Sequence, residues 1–406
     1  GHGIEEIADK TAQQMKKVAF THLSRFTTDS IEKCAKTISE LTPGDLNHVY
    51  FVSGGSEATE TSMKLARQYF TERDKNTSKW KIISRWKSFH GNTLGALSAT
   101  GMTERRSVYD PMLINFPKIN QAYCYRCPYK KSVDNCKYEC AYELENKITQ
   151  LGANNIAAFI AEPVIGSAIP GANPPKDYFK IIRDICNKYD ILLIIDEVMA
   201  GFGRTGKNFG IDHYGIVPDI MAVAKGMSCG YSPLGAAITN DKVFNTIMVE
   251  GSGQFIHGHT YGGNPLSAEI ANVVFEICKR ENYYKNSEKQ GTYLLDKLEH
   301  LYKYPIIGDV RGKGLMIGIE FVKNQQTKEP FNSSEKIKQK ITVNCLENGL
   351  VVYPGGGSVD GIRGDHILIA PPLPITKEEV DILYDKLEKS VQKTSETVSN
   401  LVCLKT

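Results

Sequence analysis

The chain has 406 residues, 41% of them hydrophobic and 23% charged, with a formal net charge of +3. That length exceeds what one hydrophobic core usually organises, so a large domain with a smaller companion is expected. The small net charge argues against a nucleic-acid or anionic-membrane partner, and no apolar run approaches the roughly 18 residues of a membrane span, which leaves a globular enzyme of the cytoplasm.

The opening residues GHGIEEIADK lack the apolar core of a signal peptide and run at once into helical sequence, which implies that further sequence precedes them. Residues 1–42 read as a helical segment that belongs with the small domain. From 43 to 288, short apolar runs alternate with helical periodicity, the pattern of a mostly parallel sheet covered by helices in a large domain. The predicted strands are HVYFVS (48–53), KIISRW (81–86), IAAFIAEP (156–163), ILLIID (191–196), DIMAVAK (219–225) and LGAAIT (234–239). SEATETSMKLARQYF (56–70) and YFKIIRDICNKY (178–189) are predicted helices. From about residue 264 the texture changes to long amphipathic helices, followed by GLMIGIEFV (314–322), a helix near 333–348 and a last helix beginning in ITKEEVDILYDKLEKSV (375–391). Residues 289–406 therefore read as a small α+β domain.

In open α/β sheets ligands sit at the carboxyl ends of the strands, so polar residues that end apolar runs are the first candidates. Asp196 closes ILLIID, where an unpaired charge would be costly; a cap on the following turn is the other reading. Lys225 closes PDIMAVAK, an unusual place for a lysine. Desolvation there lowers its pKa and frees the amine as a nucleophile toward an aldehyde, unless the side chain reaches the sheet edge. One crossover apart, the pair suits pyridoxal phosphate (PLP): the carboxylate keeps the pyridine nitrogen protonated, and the lysine forms the Schiff base and later moves the proton. SGGSEAT (53–59) follows a strand and opens a helix, so the N–H groups of Gly55 and Ser56 and the Ser56 hydroxyl offer a phosphate anchor. A Gly-Gly-Ser turn can also be only a loop.

The ordered set FVSGGSEAT, WKSFHGNTLGALSATG (86–101), FIAEPVIG (159–166), LLIIDEVMAGFGRTG (192–206), AVAKGMSCGYSPLGA (222–236) and HTYGGNPLSA (259–268) resembles the class III aminotransferases, fold-type I PLP enzymes, over nearly the whole chain. The resemblance implies that Phe89 stacks on the cofactor ring with His90 and Gly91 beside it. It also implies that Val198 packs on the opposite face, that Glu162 lies near Asp196, and that Thr260 reaches the phosphate of a neighbouring subunit, completing the site across a homodimer interface. Arg204 of FGRTG is expected to organise its loop.

Departures from the subfamilies narrow the substrate. Members acting on 4-aminobutyrate or ornithine carry a second glutamate after the EP motif, where this chain has Ser167. They also carry an arginine before the C-terminal proline motif, where HILIAPPL (366–373) has Leu368. Met199 replaces a glutamine that follows DEV in many relatives. The pattern is closest to the ω-amino acid or amine:pyruvate group, in which an arginine ahead of the GDH motif binds the acceptor's carboxylate; Arg363 is the candidate. The expected reaction is ping-pong transamination from an amine donor to a keto acid, with a PLP-dependent aminomutase or decarboxylase on the same scaffold as alternatives. A PLP-binding regulator would need a DNA-reading module, and the sequence contains none.

Of the ten cysteines, Cys34, Cys186, Cys229, Cys278, Cys345 and Cys403 are scattered and read as reduced, mostly buried thiols. Cys124, Cys127, Cys136 and Cys140 cluster in CYRCPYKKSVDNCKYEC, a spacing that could hold zinc or an iron–sulfur centre, or serve as a reduced cluster or a disulfide. No resident metal is assigned to the active site itself.

Overall fold

The computed structural model describes residues 1–403. A seven-stranded sheet is made of β1 (Leu46–Val52), β2 (Lys81–Arg85), β3 (Lys118–Ile119), β4 (Ile156–Ala161), β5 (Leu192–Asp196), β6 (Ile220–Val223) and β7 (Gly235–Asn240), in the order β1-β7-β6-β5-β4-β2-β3. β3, β2, β4, β5 and β6 pair in parallel, and β7 runs antiparallel to both β1 and β6. Alternate residues feed two cores, Phe159, Leu193, Ile195 and Met221 on one face and Ala158, Ile160, Leu192, Ile194 and Ile220 on the other. Such burial on both faces is why β4 and β5 read as unbroken apolar runs. The two-residue β3 is the strand that hydropathy does not announce.

The helices that accompany this sheet are α1 (Glu5–Lys17), α2 (Asp29–Leu41), α3 (Gly55–Arg73), α4 (Leu94–Ala99), α5 (Thr103–Arg106), α6 (Glu139–Leu151), α7 (Tyr178–Lys188), α8 (Asp241–Met248), α9 (Pro265–Arg280) and α10 (Tyr283–Leu298). α7 buries Tyr178, Phe179, Ile182, Ile185 and Cys186, the stripe of a helix lying on a sheet. α9 starts sharply because Pro265 follows Asn264, whose side chain accepts from Leu266 N at 2.9 Å and Ser267 N at 3.1 Å. α1 and α2, assigned to the small domain on sequence, pack on α9, and α2 places Ile31, Cys34 and Ile38 in the main core.

A four-stranded antiparallel sheet, ordered β10-β11-β9-β8, comprises β8 (Ile307–Lys313), β9 (Met316–Phe321), β10 (Tyr353–Gly355) and β11 (His366–Ile369). With α11 (Ile337–Glu347) and α12 (Lys377–Cys403) it forms a second core that includes Leu294, Ile317, Ile319, Phe321, Ile341 and Leu387. The domain division at 288/289 falls inside α10. At the seam between the sheets, the fully buried Glu320 of β9 meets Arg126 Nε at 2.5 Å, Arg311 Nη1 at 3.5 Å and the Tyr123 hydroxyl. Burial alone would raise the pKa of Glu320; the two guanidinium groups outweigh it and hold the carboxyl below its ordinary value.

Among the described residues no helix is long and apolar enough to cross a membrane. The described cysteines are all free; Cys34, Cys186, Cys278 and Cys345 are buried, whereas Cys229 is exposed. The side chain of Cys403 lies outside the described residues.

Candidate active site

The carboxyl ends of the parallel strands converge on a cavity of about 200 Å³ lined by Gly55, Ser56, Phe89, His90, Gly91, Asn92, Glu162, Asp196, Val198, Met199 and Lys225. Each strand contributes its exit. β1 leads into the turn before Gly55, β2 into Phe89–Asn92, and β4 into Glu162. β5 ends on Asp196, and β6 stops two residues short of Lys225.

Asp196 is buried, and its Oδ2 lies 2.8 Å from Nδ1 of His90 while Oδ1 accepts from the backbone N of Val198 at 3.0 Å. The imidazole thus fixes the carboxylate's orientation, and Nε2 of the same ring is buried without a hydrogen-bond partner. Glu162, also buried, accepts from Phe89 N at 3.2 Å through Oε2 and from Gly166 N at 3.1 Å through Oε1. Burial raises its pKa; His90 opposes the rise and Asp196 adds to it.

Lys225 lines the cavity and is solvent-exposed there, although protein packs around its side chain. The loss of hydration lowers its pKa, partly offset by attraction to Asp196 and Glu162. Its backbone is left-handed, with φ of 43°, a conformation costly for a side chain with a Cβ and characteristic of sites the surrounding fold over-determines.

The anion end of the cavity is the start of α3. No side chain caps this helix, whose N-cap is Gly54, so its first N–H groups and the positive end of its dipole are available. Two glycines keep the space clear. A Cβ on Gly55 would lie 2.7 Å from Cγ1 of Val198, and one on Gly91, whose φ is 134°, would lie 2.5 Å from the Ser56 hydroxyl oxygen. That oxygen accepts from Asn92 N at 3.0 Å, tying the two turns together.

The structure therefore brings together Lys225, Asp196, Glu162, Phe89, His90, Gly91, Val198, Gly55 and Ser56. Thr260 stands elsewhere, exposed on a separate cavity of about 910 Å³ with Tyr50, His257 and His259. Arg363 also lies outside the site, because Asp360 holds it in an exposed loop: Nε donates to Oδ2 at 2.7 Å and the backbone N to Oδ1 at 2.8 Å. Arg204 ties its loop to the C-terminal part of the chain, donating from Nη1 to Leu315 O at 3.0 Å and Pro371 O at 2.6 Å. Asn92 is a lining residue that sequence reasoning passed over, although it directly follows the FHG triplet. Glu197, next to Asp196, was likewise not singled out; it accepts from Gly210 N at 2.9 Å and Ile211 N at 2.7 Å and so secures the loop behind the site.

A buried carboxylate at the closed end, a desolvated lysine and an uncapped helix start suit the pyridine nitrogen, aldehyde and phosphate of PLP. The family profile Aminotransferase class-III matches residues 1–391. An uncharacterised aminotransferase of Bacillus subtilis, YodT, is 40% identical over 96% of this chain and 88% of its own length. The putrescine–pyruvate aminotransferase of Pseudomonas aeruginosa is 34% identical over 98% of this chain and 85% of its own. The crystal structure of a thermostable (S)-enantioselective omega-transaminase from Thermomicrobium roseum superposes with a TM-score of 0.90 at 35% identity, covering 97% of this chain and 86% of that one. The chain belongs to the class-III aminotransferases, a PLP-dependent family of fold-type I.

Proposed function

We propose that this enzyme moves the amino group of an ω-amino acid or amine to a keto acid, pyruvate foremost, by a ping-pong mechanism with Lys225 as cofactor anchor and proton carrier. The observation that carries the reading is the placement of the desolvated Lys225 in one cavity with Asp196 and Glu162. The substrate class is supported by the omega-transaminase among its structural neighbours, by the putrescine–pyruvate relative, and by Ser167 and the buried Leu368 at positions where acidic-substrate subfamilies carry Glu and Arg.

When bound, PLP supplies an electron sink for the carbanion left by loss of the donor's proton. Asp196 would face the ring nitrogen, its carboxyl oriented by His90 and the Val198 N–H. Lys225, with its pKa lowered, is a neutral amine for a larger share of the time, as attack on a carbonyl carbon requires. Its Nζ would be the base that takes up the proton the donor carbon loses and the acid that gives it back. Phe89 and Val198 are the apolar residues that would hold a flat ring, and the α3 start with Ser56 would take the phosphate.

We further place the enzyme in the cytoplasm as a homodimer in which Thr260 serves the neighbouring subunit's phosphate; its position away from its own chain's cavity supports that role. Arg363 would join the acceptor site only by leaving Asp360.

The test is a donor panel with pyruvate or 2-oxoglutarate as acceptor, together with borohydride trapping of the covalent linkage. Keto acid should be consumed in proportion to donor, and Lys225→Ala should lose both the linkage and activity, by about 10²-fold or more. Turnover without an acceptor would indicate an aminomutase or decarboxylase, and a label trapped on another lysine would refute the anchor.

A further inference from the structure

Between β3 and α6 the chain crosses residues 120–138 with only short 3₁₀ turns at Cys124–Arg126 and Val133–Asn135. Irregular segments of this length inside a compact fold are uncommon and usually have a function of their own. The cysteines of this one, Cys124, Cys127, Cys136 and Cys140, are free, and among the described residues no three His, Cys, Asp or Glu side chains are placed to hold a metal ion. What the segment offers a ligand is its cations.

These line an open cavity of about 860 Å³ that shares no lining residue with the candidate active site. Five of its side chains are basic, Lys87, Arg126, Lys130, Lys131 and Lys328, and one, Asp360, is acidic. Arg126 is paired with Glu320, and Asp360 is engaged by Arg363. Among the described residues no ion pair takes up any of the four lysines. Unmatched like charges around one cavity repel one another, and an anion between them removes that cost.

Two of the lysines are held in place by neutral oxygens: Lys87 Nζ donates to Val359 O at 2.9 Å and Lys328 Nζ to Tyr125 O at 2.7 Å. A carbonyl fixes an ammonium group without cancelling its charge and leaves its other N–H donors free. Lys87 is half-buried and has a left-handed φ of 56°, the kind of backbone strain kept at ligand sites. Ammonium groups are compact point charges that suit phosphate oxygens, whereas a planar carboxylate is gripped best by an arginine fork, and the arginine here already has Glu320. Four cations also exceed the roughly two charges of one phosphate group. The volume is that of a small-molecule site, with the exposed Trp86 on its wall.

We propose that this cavity binds a small molecule carrying two linked phosphates, held by Lys87, Lys130, Lys131 and Lys328.

The test is calorimetric titration of the holoenzyme, freed of excess cofactor so that only the cofactor site is filled, with inorganic pyrophosphate. One site per chain should saturate, with an affinity that weakens as salt rises. The triple variant Lys130→Ala/Lys131→Ala/Lys328→Ala, which replaces only exposed side chains, should bind at least about tenfold more weakly. Lys180→Ala/Lys289→Ala/Lys389→Ala, with the same change of net charge on exposed lysines elsewhere, should bind as the wild type does. Absence of saturable binding would overturn the proposal. So would undiminished binding by the first triple variant, an equal loss in the second, or citrate bound as tightly as pyrophosphate.

Discussion

Two buried glutamates end up on opposite sides of the ordinary carboxylate range. Glu320, at the seam between the sheets, is pushed up by burial but pulled further down by Arg311 and Arg126; Glu162, at the candidate site, has His90, a backbone donor and, as the smallest of the opposing effects, Arg85 against its burial, and is raised. The fold surrounds the first with cations and leaves the second short of them. A buried acid that is fully neutralised acts as a clamp between elements, whereas one left facing a cavity keeps a proton in play.

Removing the clamp should have the largest effect. Glu320→Gln leaves two buried guanidinium groups without their carboxylate and should cost about 3–5 kcal/mol, read as a lower urea midpoint. A loss under about 1 kcal/mol would mean that Asp309, 2.7 Å from Arg311, already carries that charge. Asp196→Asn, at the chemical end of the comparison, should leave the fold intact and lower kcat by about 10²–10³-fold, the range for losing one preorganised electrostatic contact. Steady-state kinetics on cofactor-saturated enzyme decides this.

A subtler contrast is available at Glu197, whose pKa burial lifts from 4.5 to about 8 against the Gly210 and Ile211 N–H groups. Because the folded state holds this proton more tightly than the unfolded chain, its contribution favours folding at low pH and is lost as pH rises from 4.5 to about 8. The Glu197→Gln variant should therefore show a flatter fall of stability over that window in parallel urea titrations. An unchanged slope would place the pH response elsewhere. Glu162→Gln, replacing a group that burial already favours as neutral, should shift stability by about 1 kcal/mol or less, a change chiefly visible in the pH–rate profile. The smallest effect is expected for Arg363→Ala. Its pair with Asp360 is solvent-exposed and should contribute less than about 1 kcal/mol, so a KM for keto acid raised about tenfold would show the arginine swinging into the site.

The parts of this molecule that could be read from sequence are those set by contiguous residues. The runs ILLIID and PDIMAVAK name both a strand and the polar residue at its exit, so Asp196 and Lys225 were legible together with their positions. The SGGSEAT turn and the FHG triplet were legible for the same reason. β3 was not, since Lys118–Ile119 is too short to form a pattern and is a strand only because β2 pairs with it. The Glu320 clamp was also invisible: its partners come from positions 123, 126 and 311, and ion pairs between distant segments leave no periodicity. The position of Arg363 was not legible either, since Asp360, three residues away, holds it in the exposed loop.

The left-handed backbone of Lys225 has a consequence for the enzyme's history. Glycine or asparagine would sit at that φ with less strain, so the residue we propose as cofactor anchor is not the one the backbone prefers. Any copy of this gene released from selection for catalysis should drift toward a more robust but inert protein at this position, and a search for thermostable variants that ignores activity should be expected to erase the lysine.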